Sequence, residues 1–265
     1  MQPGLRRTPE QVARAFLTPR RPERPAATAA AFMPDAREFV VDGPVGKVVG
    51  RIEGEGPCVL LLHGWEGSTS DFSGFVPPLL AAGLSVLALD LPAHGASEGD
   101  LVTIPLAAQA LLDVQRSFGL QHIFHAGIGH SLGAAILVHA MTLGFRVERV
   151  ALISAPADAV DYARDYCDRD GLDAAETELM LDLMHSRFGV DVRAISMPAQ
   201  AATRSEPALF VHSDDDRIVP ISSSLLTASA WHEAQHLTVS GLGHARLLRD
   251  AYVIVRIAHF VGAAR

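Results

Sequence analysis

Short, continuous apolar runs that stop at glycine or a polar residue, separated by stretches with apolar positions three and four apart, constrain this chain more than any other feature. The run at 58–63, Cys-Val-Leu-Leu-Leu-His, ends at Gly64 and shows no polar alternation, so it reads as a strand covered on both faces. Similar runs occur at 85–89, 122–126, 150–154 and 208–212, with a weaker one at 236–239. Between them, 75–82, 105–118, 131–143 and 222–231 carry helical periodicity, and 245–261 closes the chain in the same way. An initial hairpin, 38–41 and 45–53, is joined around the turn Asp42-Gly43-Pro44. The order predicts an α/β fold with a mostly parallel, open sheet of about eight strands and helices on both faces. Ligands then bind outside the carboxyl ends of the strands.

At 265 residues one domain buries roughly 70 to 75% of its unfolded surface, so stability requires neither disulfides nor metals. Thirty acidic against 22 basic side chains, with Lys47 the sole lysine, argue against a nucleic-acid partner, which needs clustered cations. Cys58 and Cys167 are too few for a disulfide framework or a four-thiolate zinc site. No apolar run approaches the roughly 18 residues of a membrane span, and the stretch after Arg6-Arg7 is broken by Glu10, Gln11 and Arg14, so it has no export h-region. A cytoplasmic protein acting on a small molecule is the resulting expectation.

Residues 1–34, rich in Arg and Pro, read as a partly ordered arm with a short helix at 9–17, and 35–265 as the domain itself. The connection 155–206 is far longer than a strand-to-strand crossover needs and reads as a helical cap inserted after the sixth strand. Its helix candidates are 158–167 and 174–188, with Tyr162, Tyr166, Leu179, Leu183, Met184 and Phe188 available to one apolar face.

Two stretches match G-x-S-x-G: Gly129-His-Ser131-Leu-Gly133 and Gly95-Ala-Ser97-Glu-Gly99. Only Ser131 stands between a strand pattern and a helix pattern, where a strained turn exposes its hydroxyl and flanking glycines allow close packing. Ser97 lies in a polar loop beside Glu98 and Asp100, whose charge opposes an alkoxide. A serine must pass its proton to a base, usually a histidine held by a carboxylate. His244, in Gly241-Leu-Gly-His-Ala245 after the last strand, is the best base among 12 histidines; His130 reads as a structural neighbour, His122, His125 and His139 as packing residues, and His212 as a reserve. The acid comes from Asp214-Asp215-Asp216 after the 208–212 strand, with Asp158 an outside candidate.

These motifs make the chain resemble the α/β-hydrolases from about His63 to Phe260. His63-Gly-Trp65 is similar to that family's oxyanion loop, Asp90-Leu-Pro-Ala-His94-Gly-Ala-Ser97 to its D-x-P-x-H-G-x-S loop, and Ser131, Asp216, His244 follow its chain order. The resemblance implies Asp216, ahead of Ile218-Val-Pro220, as the acid, with Asp214 or Asp215 as alternatives. It also implies an oxyanion hole from the backbone N–H groups of Trp65 and Leu132. The stretches His63-Gly-Trp-Glu-Gly67 and Gly129-His-Ser-Leu-Gly133 are nearest a group of bacterial esterases, and the HGGG form is absent. The implied activity is a serine carboxylesterase with no cofactor and no metal, acting on a small ester or related acyl substrate. Trp65, Tyr162, Tyr166 and Met184 are its candidate substrate contacts. A peptidase, thioesterase or carbon–carbon bond hydrolase shares the triad, and a silent binding protein shares the fold. Asp158, Asp161, Asp165 and Asp168 read as a solvated helix face or as an amine site for an exopeptidase. The acyl chain, the leaving group and the oligomeric state stay open.

Overall fold

The computed structural model of the protein describes residues 6–21, 32–119 and 122–262. Eight strands form one sheet: β1 (Arg37–Gly43), β2 (Gly46–Glu53), β3 (Cys58–Leu62), β4 (Ser85–Leu89), β5 (Ala126–His130), β6 (Val150–Ile153), β7 (Ala208–Ser213) and β8 (Ala234–Val239). Their order is β1-β2-β4-β3-β5-β6-β7-β8. The hairpin pairs β1 with β2 and β2 with β4 antiparallel, and every pairing from β4 to β8 is parallel. The helices are α1 (Pro9–Leu17), α2 (Val76–Ala81), α3 (Ile104–Ser117), α4 (Leu132–Thr142), α5 (Ala159–Asp170), α6 (Ala174–Phe188), α7 (Met197–Ala201), α8 (Ile221–Ala230) and α9 (Ala251–Gly262).

Alternation along each strand splits the core in two. Leu60, Leu62, Leu87, Leu89, Leu152 and Phe210 face one side, where they meet Leu111 and Val114 of α3 and Ile136 and Leu137 of α4. Val59, Leu61, Val86, Ile128, Ile153 and Val211 face the other, against Leu79 of α2 and Val253 and Ile257 of α9. Both faces are dry, which is why these strands carry no polar alternation. A third cluster, separate from the sheet, lies in the cap segment: Ala163 and Cys167 of α5, Thr177's neighbours Met180, Leu181 and Met184 of α6, and Val12, Ala13 and Leu17 of α1.

Three expectations need correction. The strand expected at 122–126 is β5, Ala126–His130, and upstream only Phe124 makes an isolated bridge, to Val147. Gly127 and Gly129 lower strand propensity, but a Cβ on Gly127 would come within 2.8 Å of Leu137, because α4 packs directly on this strand. The closing helix at 245–261 is broken into a 3₁₀ turn, Arg246–Arg249, and α9, since Asp250 caps α9 by accepting the Val253 N–H at 3.0 Å. On α6 the inward stripe is Thr177, Met180, Leu181 and Met184, at helical spacing, while Leu179 points to solvent with 51% exposure. Among the described residues no helix is long and apolar enough to cross a membrane.

Leu60→Ala in the centre of the sheet removes a fully buried side chain and is expected to lower stability by about 2 to 5 kcal/mol. Leu179→Ala is expected to cost under about 0.5 kcal/mol. Urea denaturation followed by circular dichroism measures both, and equal costs would contradict the two-sided core.

Candidate active site

β5 runs straight into Ser131, which caps α4 with φ +52° and ψ −116°. A non-glycine residue held there is strained by about 1 to 3 kcal/mol. The neighbours that hold it are backbone. A Cβ on Gly133 would lie 2.3 Å from the Leu62 carbonyl oxygen and 2.5 Å from that of His63, and one on Gly129 would lie 2.7 Å from the Ala134 backbone. Only glycine fits at either position, so α4 lies against β3 and the turn cannot relax. The Ser131 N–H is fixed on the Ile153 carbonyl of β6 at 2.9 Å.

The loop after β3 approaches this turn closely, and a Cβ on Gly64 would sit 3.2 Å from the Ser131 Cβ. Two buried histidines secure the loop to the one after β4. His63 donates from Nδ1 to the Gly64 carbonyl at 2.7 Å and accepts the Leu91 N–H on Nε2 at 3.0 Å. His94 donates from Nδ1 to the Pro92 carbonyl at 3.0 Å and accepts the Glu66 N–H on Nε2 at 3.1 Å. Both rings must be neutral to accept, and burial next to the His63 ring, where a second proton would be opposed, pushes His94 down to about 4. Asp90 accepts the Thr69 and Ala96 N–H groups, and the fully buried Ser97 bridges the Asp90 carbonyl and the Val49 N–H, a structural role. Trp65 thus stands at the tip of a braced loop, 39% exposed. Its backbone N–H and that of Leu132, the first of α4, have no partner among the described residues.

At the end of β7, Asp216 is buried and uses both carboxylate oxygens. Oδ1 accepts the Ile218 and Val219 N–H groups at 2.8 and 3.0 Å, and Oδ2 accepts from His244 Nδ1 at 2.8 Å. His212, wholly buried, lies with Nε2 3.2 Å from the same oxygen and 2.9 Å from the Val219 carbonyl. Two acceptors require Nε2–H, so His212 donates to the carboxylate. Burial alone would raise the Asp216 carboxyl, yet the bonds from His212, His244, Val219 and Ile218 outweigh it and hold the group ionised far below the usual carboxylate range. With Nδ1 of His244 donating to an anion, its Nε2 is left with a free lone pair.

The other two aspartates shape the loop that carries His244. Asp214 accepts the Ser240 hydroxyl at 2.7 Å, and Asp215 accepts the Gly243 N–H at 2.8 Å and the Ser213 hydroxyl. His130 donates from Nε2 to the His244 carbonyl at 2.9 Å, and burial beside His244 pushes His130 down to about 4. Asp158 caps α5 without touching His244. The structure therefore brings Asp216 to His244, and neither Asp214, Asp215 nor Asp158. His212 does not reach the cavity, and its tie to Asp216 has no sequence signature beyond a spacing of four residues.

Ser131, Trp65, Leu132 and His244 open into one cavity of about 1310 Å³. The Ser131 hydroxyl has no hydrogen-bond partner among the described residues, and the half-buried His244 lines the same cavity. Tyr162, Tyr166 and Met184 line the same space, so all four candidate substrate contacts converge there. Tyr162 donates its hydroxyl to the Ile218 carbonyl at 3.1 Å. Of the cap aspartates singled out in the sequence only Asp158 lines this cavity; Asp165 and Asp168 line a smaller one of about 270 Å³ with Arg169 and Arg217.

Residues 59–256 match the model of a family described as the alpha/beta hydrolase family. The pimeloyl-[acyl-carrier protein] methyl ester esterase of Xanthomonas campestris pv. campestris is 30% identical over 79% of this chain and 97% of its own length. A monoacylglycerol lipase of Mycolicibacterium smegmatis is 28% identical over 70% of this chain and 80% of its own. The solved esterase EaEST of Exiguobacterium antarcticum superposes with a TM-score of 0.67 at 15% identity, covering 85% of this chain and 99% of that one, a likeness of fold.

The two buried histidines at about 4 give a pH test of stability. An unfolded histidine titrates near 6.5, so between pH 6.5 and 4 the unfolded chain binds protons that the folded chain refuses. Stability is fully present above pH 6.5 and is lost as the pH falls toward 4. Urea midpoints at pH 7, 6 and 5 are expected to fall in that order, and His94→Gln to flatten the slope; a constant midpoint would contradict neutral, buried rings.

Proposed function

The chain belongs to the alpha/beta hydrolase family, and we propose that it is a serine carboxylesterase whose triad is Ser131, His244 and Asp216. The observation that carries this reading is the strained Ser131, held by backbone contacts in the same cavity as a histidine whose Nδ1 is bonded to a buried, ionised aspartate. In the reaction, Ser131 Oγ attacks the ester carbonyl carbon while its proton passes to His244 Nε2. The N–H groups of Trp65 and Leu132 receive the oxyanion, a service worth roughly 3 to 4 kcal/mol per donor. Collapse breaks the bond to the alcohol oxygen, and the alcohol leaves with the His244 proton. Water then attacks the acyl-Ser131 carbonyl with His244 as base, and the carboxylic acid departs.

Each partner has a part in that cycle. Asp216 fixes the tautomer of His244 and stabilises the imidazolium formed in each half-reaction. His212 steadies Asp216 at Oδ2, the oxygen that also binds His244, and His130 anchors the backbone of the His244 loop. His63 and His94 brace the loop that carries Trp65. An oxygen ester is favoured over an amide or thioester because the methyl ester esterase and monoacylglycerol lipase relatives carry such substrates in their names. The His63–Gly67 and Gly129–Gly133 motifs suit the bacterial esterase group named above. We assign the enzyme to the cytoplasm, where the buried thiols of Cys58 and Cys167 stay reduced.

A fluorophosphonate probe is expected to modify Ser131 alone, as read by mass spectrometry of the digested protein, and Ser131→Ala to abolish p-nitrophenyl ester turnover with an unchanged fold. Labelling elsewhere, or none in the folded protein, would overturn the assignment. Asp216→Asn is expected to lower kcat by roughly 10⁴-fold. Asp214→Asn and Asp215→Asn, which touch only the loop, should each cost less than about tenfold; the reverse ranking would move the acid.

A further inference from the structure

We infer that the segment 6–21 adds a further helix, α1, to the cap and one wall to the substrate pocket, and that Phe16 sets the length of the apolar chain accepted there. The inference rests on the esterase reading above and extends it to substrate class. α1 lies before the family's matched segment, 59–256, so the wall it builds is not part of the matched core.

A helix of nine residues is not stable alone in water, and α1 therefore owes its form to what it packs against. Val12, Ala13, Phe16 and Leu17 form one stripe at spacings of one, four and five. The first two are fully buried and Leu17 nearly so, in the cluster that holds Cys167 of α5 and Met180 and Met184 of α6. Polar ties fix both ends. Thr8 forms a reciprocal cap with Gln11, Arg6 pairs with Glu176 at 2.6 Å, and Arg7 pairs with Asp170. Past the helix, the Leu17 carbonyl accepts the Val102 N–H at 2.9 Å, and Arg20 grips the Glu66 carboxylate with Nε and Nη2, each at 2.9 Å. Glu66 adjoins Trp65, so the segment ends against the oxyanion loop.

From α1 the pocket is lined by Ala15, Phe16 and Leu17, followed by Thr18. Phe16 stands edge-on to Tyr166 with ring centroids 5.2 Å apart, and the pair lines the pocket together with Met184 and Val192. A pocket of this size with aliphatic and aromatic walls fits an ester carrying an unbranched apolar chain, each buried CH₂ of which contributes about 0.8 kcal/mol, or roughly fourfold in binding.

The test is a chain-length series, p-nitrophenyl acetate through decanoate, with octyl acetate for a chain on the alcohol side. In Phe16→Ala the ratio of kcat/KM on the best long-chain ester to that on acetate is expected to fall fivefold or more, chiefly through KM. Ala15→Leu, which adds bulk to the same wall, should move the optimum to a shorter chain. This second variant keeps the inference testable if Phe16→Ala folds poorly. Arg14→Ala, on the solvent side of α1, should leave the profile as in the parent. Unchanged profiles in both wall variants, with Ser131 still labelled by the phosphonate, would overturn the inference alone. Long-chain turnover that survives in Ser131→Ala would overturn the esterase reading beneath it.

Discussion

The turn at Ser131 depends on three backbones being closer together than side chains allow. Its φ of +52° is unfavourable by itself, and it persists because Gly129, Gly133 and Gly64 let α4, β3 and the loop after β3 close around it. The same packing leaves the Leu132 N–H facing the cavity at a helix N-terminus, where the helix dipole favours negative charge. The proposed nucleophile and oxyanion site are thus one structural event, and a methyl group on any of these glycines would disturb both.

Charge is handled by burial against hydrogen bonds. Asp216 gives up its hydration but receives four donors, so it stays ionised, while burial keeps His94 and His130 neutral and they work, with His63, as clips. His63 and His94 therefore do mechanical work through hydrogen bonds on both ring nitrogens, His130 and His212 through Nε2, and among the described residues His244 is the cavity-lining histidine with a ring nitrogen on a carboxylate. The cap follows a different rule. Its cluster is separate from the sheet core and is completed by a helix from the far end of the chain, which makes the pocket wall adjustable without touching the elbow.

The strand–helix order was legible in the sequence, and the proposals of Ser131 over Ser97 as nucleophile and of His244 as base rest on the same kind of local pattern: apolar runs, a glycine-flanked serine, a glycine-rich loop. That pattern misplaced β5 by four residues because Gly127 and Gly129 weaken the strand signal where close packing demands them. The inward face of α6 was misjudged at Leu179 because apolar residues occur around the helix, and only the partner surface selects one stripe.

Periodicity and short motifs are properties of neighbouring residues, so the chain alone determined the fold class and the strand–turn–helix setting of Ser131, and supplied the chain order on which the proposed triad rests. Which of three consecutive aspartates reaches His244, the support of Asp216 by His212, and the joining of α1 to α5 and α6 were decided only in the tertiary structure. Each joins residues far apart in the chain or turns on the direction in which one side chain leaves a loop, and such distances are set by how the sheet and cap pack rather than by any local preference.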